Sequence, residues 1–144
     1  MGRVANKLKN RFKTKGRFAQ LPYSLFVSSH YYSLEISSRA ILHGLLMQYN
    51  GKNNGNLSAS HSMAKQWGIK SKTTLAKGLN ELIDKRFIVK TRQGLFLNSD
   101  MSCNLFAITW EAIDHIDGLE LTIAQTIIPY YTIKQIITVD LTSD

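Results

Sequence analysis

A chain of 144 residues with 44% hydrophobic and 10% aromatic residues contains enough apolar side chains for one ordinary folded domain, which excludes a wholly disordered protein. The single cysteine, Cys103, excludes an intramolecular disulfide and therefore a secreted disulfide scaffold. A net charge of +8 makes an anionic partner the first expectation.

The positive charge is concentrated in the first two thirds of the chain. Residues 1–92 contain 17 Lys or Arg against three carboxylates, a net +14, whereas residues 93–144 contain one lysine against seven carboxylates, a net −6. A surface of one sign attracts polyanions over a Debye length of about 8 Å at physiological salt, so charge favours nucleic acid or an anionic membrane face. Since neither a signal peptide nor an apolar run of about 18 residues is present, we expect a cytoplasmic, nucleoid-associated protein without a membrane partner.

Residues 1–17 form a strongly basic segment that we expect to be a flexible arm. They contain seven Lys or Arg and no carboxylate, and like charges at this density oppose compaction. Lys13, Lys15 and Arg17, the three cations nearest the folded domain, are predicted to contact DNA phosphates. An organellar transit peptide has a similar composition and is the alternative interpretation of this segment.

The first predicted elements are helical. A short helix is expected near residues 24–29, after an extended entry around Pro22. A core helix is predicted to begin after Ser37, an N-cap candidate, and to end at Asn50-Gly51. The Asn- and Gly-rich residues 51–56 indicate a loop, and Leu57 with its neighbours indicates a short strand.

The next two helices have the spacing of a helix-turn-helix. One is predicted from residue 60 or 61 to residue 67, and the other from about residue 71 to residue 86, with an apolar stripe that includes Leu75 and Leu79. Such a motif needs a small residue in the first helix, a turn that tolerates a left-handed conformation, and an apolar residue between the helices. Ala64, Gly68 and Ile69 meet these three requirements.

The outer face of the second helix carries the predicted DNA-contacting residues. With the apolar stripe buried, 100° per residue places Thr73, Lys77 and Asn80 on the opposite side, and Ser71 and Lys72 project from the helix start. Lys can donate to guanine, Asn can bind adenine with two hydrogen bonds, and Thr can contact a base edge or a thymine methyl group. The alternative is an ordinary solvated helix face.

A small antiparallel sheet is predicted to follow the helices. Residues 87–91, 94–97 and 105–110 have strand composition, and Arg92 is expected in a tight basic turn that could reach phosphate or a minor groove as part of a wing. The loop at residues 98–104 could form part of the wing instead. The predicted fold class is therefore α+β.

Several stretches together resemble the winged helix-turn-helix family, and more narrowly bacterial domains related to phage or plasmid replication initiators and regulators. The resemblance covers about residues 17–110 and is carried by RFAQLPYSL, LEISSRAILHGLLMQYNGKNNGNLSAS, SMAKQWGIKSKTTLAKGLNELIDKRFIVKTRQGLF and LFAITW. It implies duplex DNA binding through the second helix of the motif and the wing. Residue by residue, that role transfers to Lys72, Thr73, Lys77 and Arg92.

The predicted organisation is a basic arm at residues 1–17, a winged helix-turn-helix domain at residues 18–110 and an extension at residues 111–144. The extension departs from the family pattern. Its acidic residues at 111, 114, 117 and 120 are spaced like a solvated helix face, and residues 123–139 could be helix or strand. Their apolar side chains predict a homodimer contact, with coverage of the monomer's own core as the alternative.

No pattern in the sequence indicates catalysis, a metal site or a cofactor. His30, His43, His61 and His115 are far apart and lack the spacing of metal ligands. We therefore expect a protein that is not an enzyme and that binds double-stranded DNA in transcription regulation or replication control. The alternative function is a structural module that binds protein or RNA through the winged helix and the basic arm.

Overall fold

The computed structural model describes residues 16–94 and 104–139. These residues form six helices and a three-stranded antiparallel sheet, which confirms the predicted α+β class. The arm residues Lys13 and Lys15 lie outside the described residues. So does the stretch 95–103, which contains Cys103, most of the predicted strand at residues 94–97 and most of the alternative wing loop at residues 98–104.

Nine elements follow one another along the described chain. They are α1 (Tyr23–Phe26), α2 (Ser29–Tyr32), α3 (Ile36–Gln48), β1 (Leu57–Ser58), α4 (His61–Gln66), α5 (Lys72–Asp84), β2 (Ile88–Arg92), β3 (Leu105–Ile108) and α6 (Ile133–Ile137). Strand β3 is central in the sheet and pairs antiparallel with β1 on one side and with β2 on the other.

The single helix predicted near residues 24–29 is in fact two one-turn helices. The Ser28 side chain separates them, because its oxygen donates to the Leu25 carbonyl at 2.6 Å and accepts from the Tyr31 amide at 3.1 Å. The first bond closes α1 and the second caps α2. Hydrogen bonds between a serine side chain and nearby backbone groups compete with the backbone bonds of a continuous helix, which explains the break.

The N-cap predicted at Ser37 was wrong by two positions. Helix α3 begins at Ile36, and Glu35 occupies the cap position without a side-chain cap bond. A long-range contact fixes this start, because the Glu35 amide donates to Oε1 of Glu81 on α5 at 2.9 Å. The carboxylate of another helix thus binds the backbone amide of the residue that caps α3.

The core lies between the helices and one face of the sheet. Helix α5 packs against α3 so closely at Gly78 that a β-carbon there would force Cδ1 of Ile41 to move. The close approach buries apolar side chains, each of which stabilises the fold by about 1.5 to 3 kcal/mol when fully removed from water. The largest fully buried side chains include Leu25, Ile41, Leu42, Leu45, Leu57, Leu82, Phe87, Ile88, Phe106 and Ile108.

Arg92 is the last residue of β2 and is not part of a turn, contrary to the predicted position. Its Cα partner is Leu105, whereas Lys90 is paired with Phe106, so the register shifts at Thr91. The buried Thr91 hydroxyl donates to the Gly55 carbonyl at 2.6 Å. This bond draws Thr91 inward and accounts for the irregularity that carries β2 through Arg92.

The segment after Trp110 packs against the same core. Its acidic residues 111–120 form no helix, contrary to the predicted helix face, and the structure resolves the ambiguous stretch 123–139 into irregular chain followed by α6. Thr132 begins α6 with a capping box to Gln135, and Ile136 is fully buried. Backbone bonds from Thr122 to Thr91 and from Tyr131 to Thr109 hold the segment against the domain.

Candidate nucleic-acid interface

The turn between α4 and α5 has the geometry that the sequence predicted. Ala64 is fully buried, and the Ile69 amide donates to its carbonyl at 2.9 Å. Gly68 has φ +89°, a left-handed conformation that costs a glycine almost nothing. The buried Ile69 side chain fills the space between the helices. The turn therefore fixes α5 relative to α4 through both a hydrogen bond and a buried side chain.

Ser71 acts as the N-cap of α5. Its oxygen accepts from the Thr74 amide at 3.0 Å and donates to the Thr74 hydroxyl at 2.8 Å. A serine cap of this kind stabilises a helix by about 1 kcal/mol. Ser71 was predicted to contact DNA, and the structure gives its side chain a local structural role at an exposed position.

The outer face of α5 is exposed along its first two and a half turns. Lys72, Thr73, Lys77 and Asn80 are all exposed, while Leu75, Gly78 and Leu82 on the inner face are buried. The predicted division into an apolar inner face and a polar outer face is therefore confirmed. The exposed side chains offer two ammonium groups, one hydroxyl and one amide, the groups that hydrogen-bond to base edges and phosphates.

The two carboxylates of α5 lie in different surroundings. Asp84 is exposed on the outer side, near the helix end. Glu81 is turned toward α2 and α3, where Lys85 Nζ binds its carboxylate at 3.2 Å and the Glu35 amide binds it at 2.9 Å. Burial favours a raised pKa for Glu81, but the hydrogen bonds from Ser38, Glu35 and Lys85 outweigh it and lower the pKa. Glu81 is thus occupied within the fold and leaves the first turns of the outer face free of negative charge.

Arg17 is held against the C-terminal end of α3. Its Nη2 donates to the Tyr49 carbonyl at 2.8 Å and approaches those of Met47 and Gln48 at 3.4 and 3.5 Å. A cation at this position satisfies carbonyl groups that have no partner within the helix and opposes the negative end of the helix dipole. The predicted contact of Arg17 with DNA remains a prediction, and the structure adds an anchoring role.

A groove beside α5 was not predicted from the sequence. It has a volume of about 300 Å³ and lies between α5 and the strands β2 and β3. Lys72 and Asn80 reach it from α5, while Lys90 of β2 and Asn104 before β3 reach it from the sheet. The sequence indicated only that Lys90 is a lysine within a predicted strand. It could not indicate that Lys90 lines a groove, because the neighbouring residues do not show which element lies opposite the strand.

Three of the four histidines have individual structural roles. His30 stacks on Phe87 and bonds to the Lys85 carbonyl, His43 bonds to the Tyr31 hydroxyl, and His61 bonds to the Lys70 carbonyl. Burial lowers the pKa of His43, and the nearby Arg39 lowers it further. Within residues 16–94 and 104–139, no three His, Cys, Asp or Glu side chains are grouped so that they could hold a metal ion.

None of the helices in the described ranges combines the length and apolar character needed to cross a bilayer. Comparison of the chain with protein-family models, with curated proteins and with solved structures gives no match.

Proposed function

We propose that this protein binds double-stranded DNA in a sequence-specific manner through a winged helix-turn-helix. In this proposal α5 enters the major groove and its outer face reads the base edges. The observation that carries the proposal is the exposed set Lys72, Thr73, Lys77 and Asn80 on a helix whose other face is locked in the core. A rigid helix can hold its donors in one geometry, which base readout requires.

The topology around α5 supports the winged helix-turn-helix interpretation. A helix and a short strand precede the two-helix motif, two antiparallel strands follow it, and the early strand pairs with the last one. The pair β2 and β3 stands where a wing is expected, and Arg92 lies at the end of β2. The arm with Lys13 and Lys15 would add phosphate contacts that do not depend on sequence.

The biological setting of the proposal is transcription regulation or replication control of a bacterial, phage or plasmid gene, in the cytoplasm and at the nucleoid. This part rests on the resemblance of residues 17–110 to replication-initiator and regulatory domains. The charge of +14 over residues 1–92 agrees with it, because a surface of one sign attracts polyanions such as nucleic acid.

The first test measures duplex binding directly. Fluorescence anisotropy of a labelled random duplex of about 30 base pairs should show binding that weakens steeply between low and physiological salt. Each phosphate contact contributes about 0.9 to the slope of log affinity against log salt. No binding at low salt would contradict the proposal.

The second test separates base readout from general attraction. On a site selected from a duplex library, Lys77→Gln should weaken discrimination at one base pair by about 1 to 3 kcal/mol. Lys134→Gln is the matched control, because it removes the same charge from an exposed position of another helix, α6. Equal losses for every duplex in both variants would argue against readout by α5.

The third test concerns the arm. Deletion of residues 1–15 removes six Lys or Arg and keeps Arg17, which holds the end of α3. We expect weaker binding to all duplexes and a flatter salt slope, with the ranking of sequences unchanged. A changed ranking would mean that the arm reads sequence.

A second candidate function, a module that binds protein through the extension, is favoured by one observation. Ile127 and Ile128 are 94% and 71% exposed, although Ile113 and Ile136 on either side of them in the extension are buried. The Thr126 hydroxyl donates to the Ile128 carbonyl at 2.6 Å and holds this bend. A second copy of the chain is the simplest partner for such a contact. Light scattering should then give the mass of a dimer for the wild type and of a monomer for the double variant Ile127→Asn, Ile128→Asn. A monomeric wild type would exclude the homodimer.

A further inference from the structure

The groove between α5 and the sheet has the size of a small-molecule site. Its floor includes the apolar side chains of Leu75, Leu79, Ile83 and Phe106, and the lining also includes four polar side chains, two lysines and two asparagines. Small-molecule sites are clefts of about 300 to 1,000 Å³ with mostly apolar walls and a few polar groups that orient the ligand. At about 300 Å³ the groove stands at the lower end of this range.

The charge of the groove specifies the sign of a ligand. Lys72 lies in the first turn of α5, where the helix dipole adds positive potential, and Lys90 extends from the opposite wall on β2. The Lys90 ammonium donates to Oε1 of Gln93 at 3.1 Å, which restricts its position. Among the described residues that line the groove there is no carboxylate. An anionic group is therefore complementary to both walls.

Two amides complete the polar set. Asn80 reaches the groove from α5, and Asn104 does so from the start of β3. The Oδ1 of Asn104 accepts from the Gly94 amide, so this side chain is oriented by the backbone opposite. Amides beside lysines can donate to the oxygens of a carboxylate or sulfonate, and charge-assisted bonds of this kind are about twice as strong as neutral ones.

The apolar floor argues for a small molecule over a DNA strand. A duplex presents a continuous row of phosphates to a protein surface, and the apolar residues below Lys72 and Lys90 give such a row nothing to bind. We propose that this groove binds a small amphipathic anion, with its acidic group between Lys72 and Lys90 and its aromatic or branched apolar body on the floor. The site stands independently of whether α5 binds DNA.

The position of the site gives it a regulatory consequence. Lys72 belongs both to the groove and to the outer face of α5, so a bound anion neutralises one of the cations that duplex DNA would use. Ligand and duplex therefore compete. This consequence, unlike the site itself, rests on the proposed function.

The test uses two fluorescent probes that differ in one group, without DNA. The first is 8-anilinonaphthalene-1-sulfonate, and the second is N-phenyl-1-naphthylamine, the same body without the sulfonate. Titration of the full chain should give one sulfonate probe per protein, bound at least about tenfold more tightly than the neutral probe. No binding of the sulfonate probe, or equal binding of both probes, would overturn the proposal.

Three variants locate the bound probe. Lys90→Gln should reduce affinity for the sulfonate probe by about tenfold and leave the neutral probe unaffected, whereas Lys134→Gln should change neither. Ala76→Phe fills the groove from an exposed helix position and should abolish binding of both probes. Circular dichroism verifies that each variant is folded.

The outcome is decisive in either direction. Sulfonate binding that survives both Lys90→Gln and Ala76→Phe would place the probe elsewhere and refute the groove site. Because no step contains DNA, a protein that fails to bind duplex can still pass this test. A protein that binds duplex can equally fail it.

Discussion

The helical core around α3 and α5 and the C-terminal segment of residues 111–139 are held by different forces. In the core, apolar side chains such as Ile41, Leu45 and Leu82 are fully removed from water. In the C-terminal segment, only Ile113 and Ile136 are buried to that degree. Hydrogen bonds to the domain add to these apolar contacts.

Asn54 is the centre of this hydrogen bonding. Its side-chain amide donates to the carbonyls of Ile108 and Ala112 at 2.9 Å, and its Oδ1 accepts from the Ile108 amide at 2.8 Å. Its own backbone exchanges bonds with Asp114. A buried amide with all its groups bonded fixes the path of the chain after β3, because any other path would leave polar groups without partners.

Within this domain, the tightly packed residues and the exposed functional candidates belong to different parts of the structure. Packing of α5 through Gly78 and Leu82 holds the outer face in place without using any residue of that face. Hydrogen bonding holds the C-terminal segment while leaving Ile127 and Ile128 in solvent. Substitutions can test whether the two regions differ as described.

The largest difference is expected between truncations of two apolar side chains. Leu82→Ala should lower the free energy of unfolding by about 2 to 5 kcal/mol, because it leaves a cavity between α5 and α3. Ile127→Ala should change it by less than about 0.5 kcal/mol, because the side chain is 94% exposed. Urea unfolding of both variants measures this, and equal losses would remove the distinction.

Asn54→Ala should have the next largest effect. It leaves the Ile108 amide and the carbonyls of Ile108 and Ala112 without this partner in a buried site, at a cost of about 2 to 3 kcal/mol. Asn56→Ala, two residues away at an exposed position, is the control and should be close to neutral. A nearly wild-type midpoint for Asn54→Ala would mean that apolar contacts alone hold the C-terminal segment.

Glu81→Gln should cost about 1 kcal/mol at pH 7, since it weakens charge-assisted bonds at a partly exposed site. The pKa of Glu81 is lowered from 4.5 in the folded protein, so its stabilisation is present above that pH and is lost as pH falls through the folded pKa. The stability difference from wild type should therefore shrink in acid. Asp84→Asn, on the same helix but exposed, controls for charge, and a difference that persists in acid would contradict the assignment.

The smallest effect is expected for Glu111→Gln, and it has the opposite sign. Burial raises the pKa of Glu111, and Asp114 raises it further. The ionised carboxylate therefore destabilises the folded protein at neutral pH. This destabilisation is lost as pH falls through the folded pKa and the group is protonated. The variant should be a few tenths of a kcal/mol more stable than wild type at pH 7 and no more stable in acid. Thermal unfolding at both pH values checks this, and a less stable variant at pH 7 would reverse the sign.

The sequence by itself determined the features that depend on local periodicity and backbone freedom. The apolar stripe with Leu75 and Leu82 predicted α5 and its outer face, because a helix repeats every 3.6 residues. Gly68 predicted the turn, because only glycine adopts its conformation without cost. The short strand at Leu57 also followed from the pattern around it.

Tertiary structure alone decided the features that depend on partners far along the chain. The start of α3 is set by Glu81, the extension of β2 through Arg92 by Gly55, and the path after β3 by Asn54. The fit of Gly78 against Ile41 and the groove that joins Lys72 with Lys90 belong to the same class. Local sequence cannot predict such contacts, because the two partners are far apart in sequence and only the folded chain brings them together.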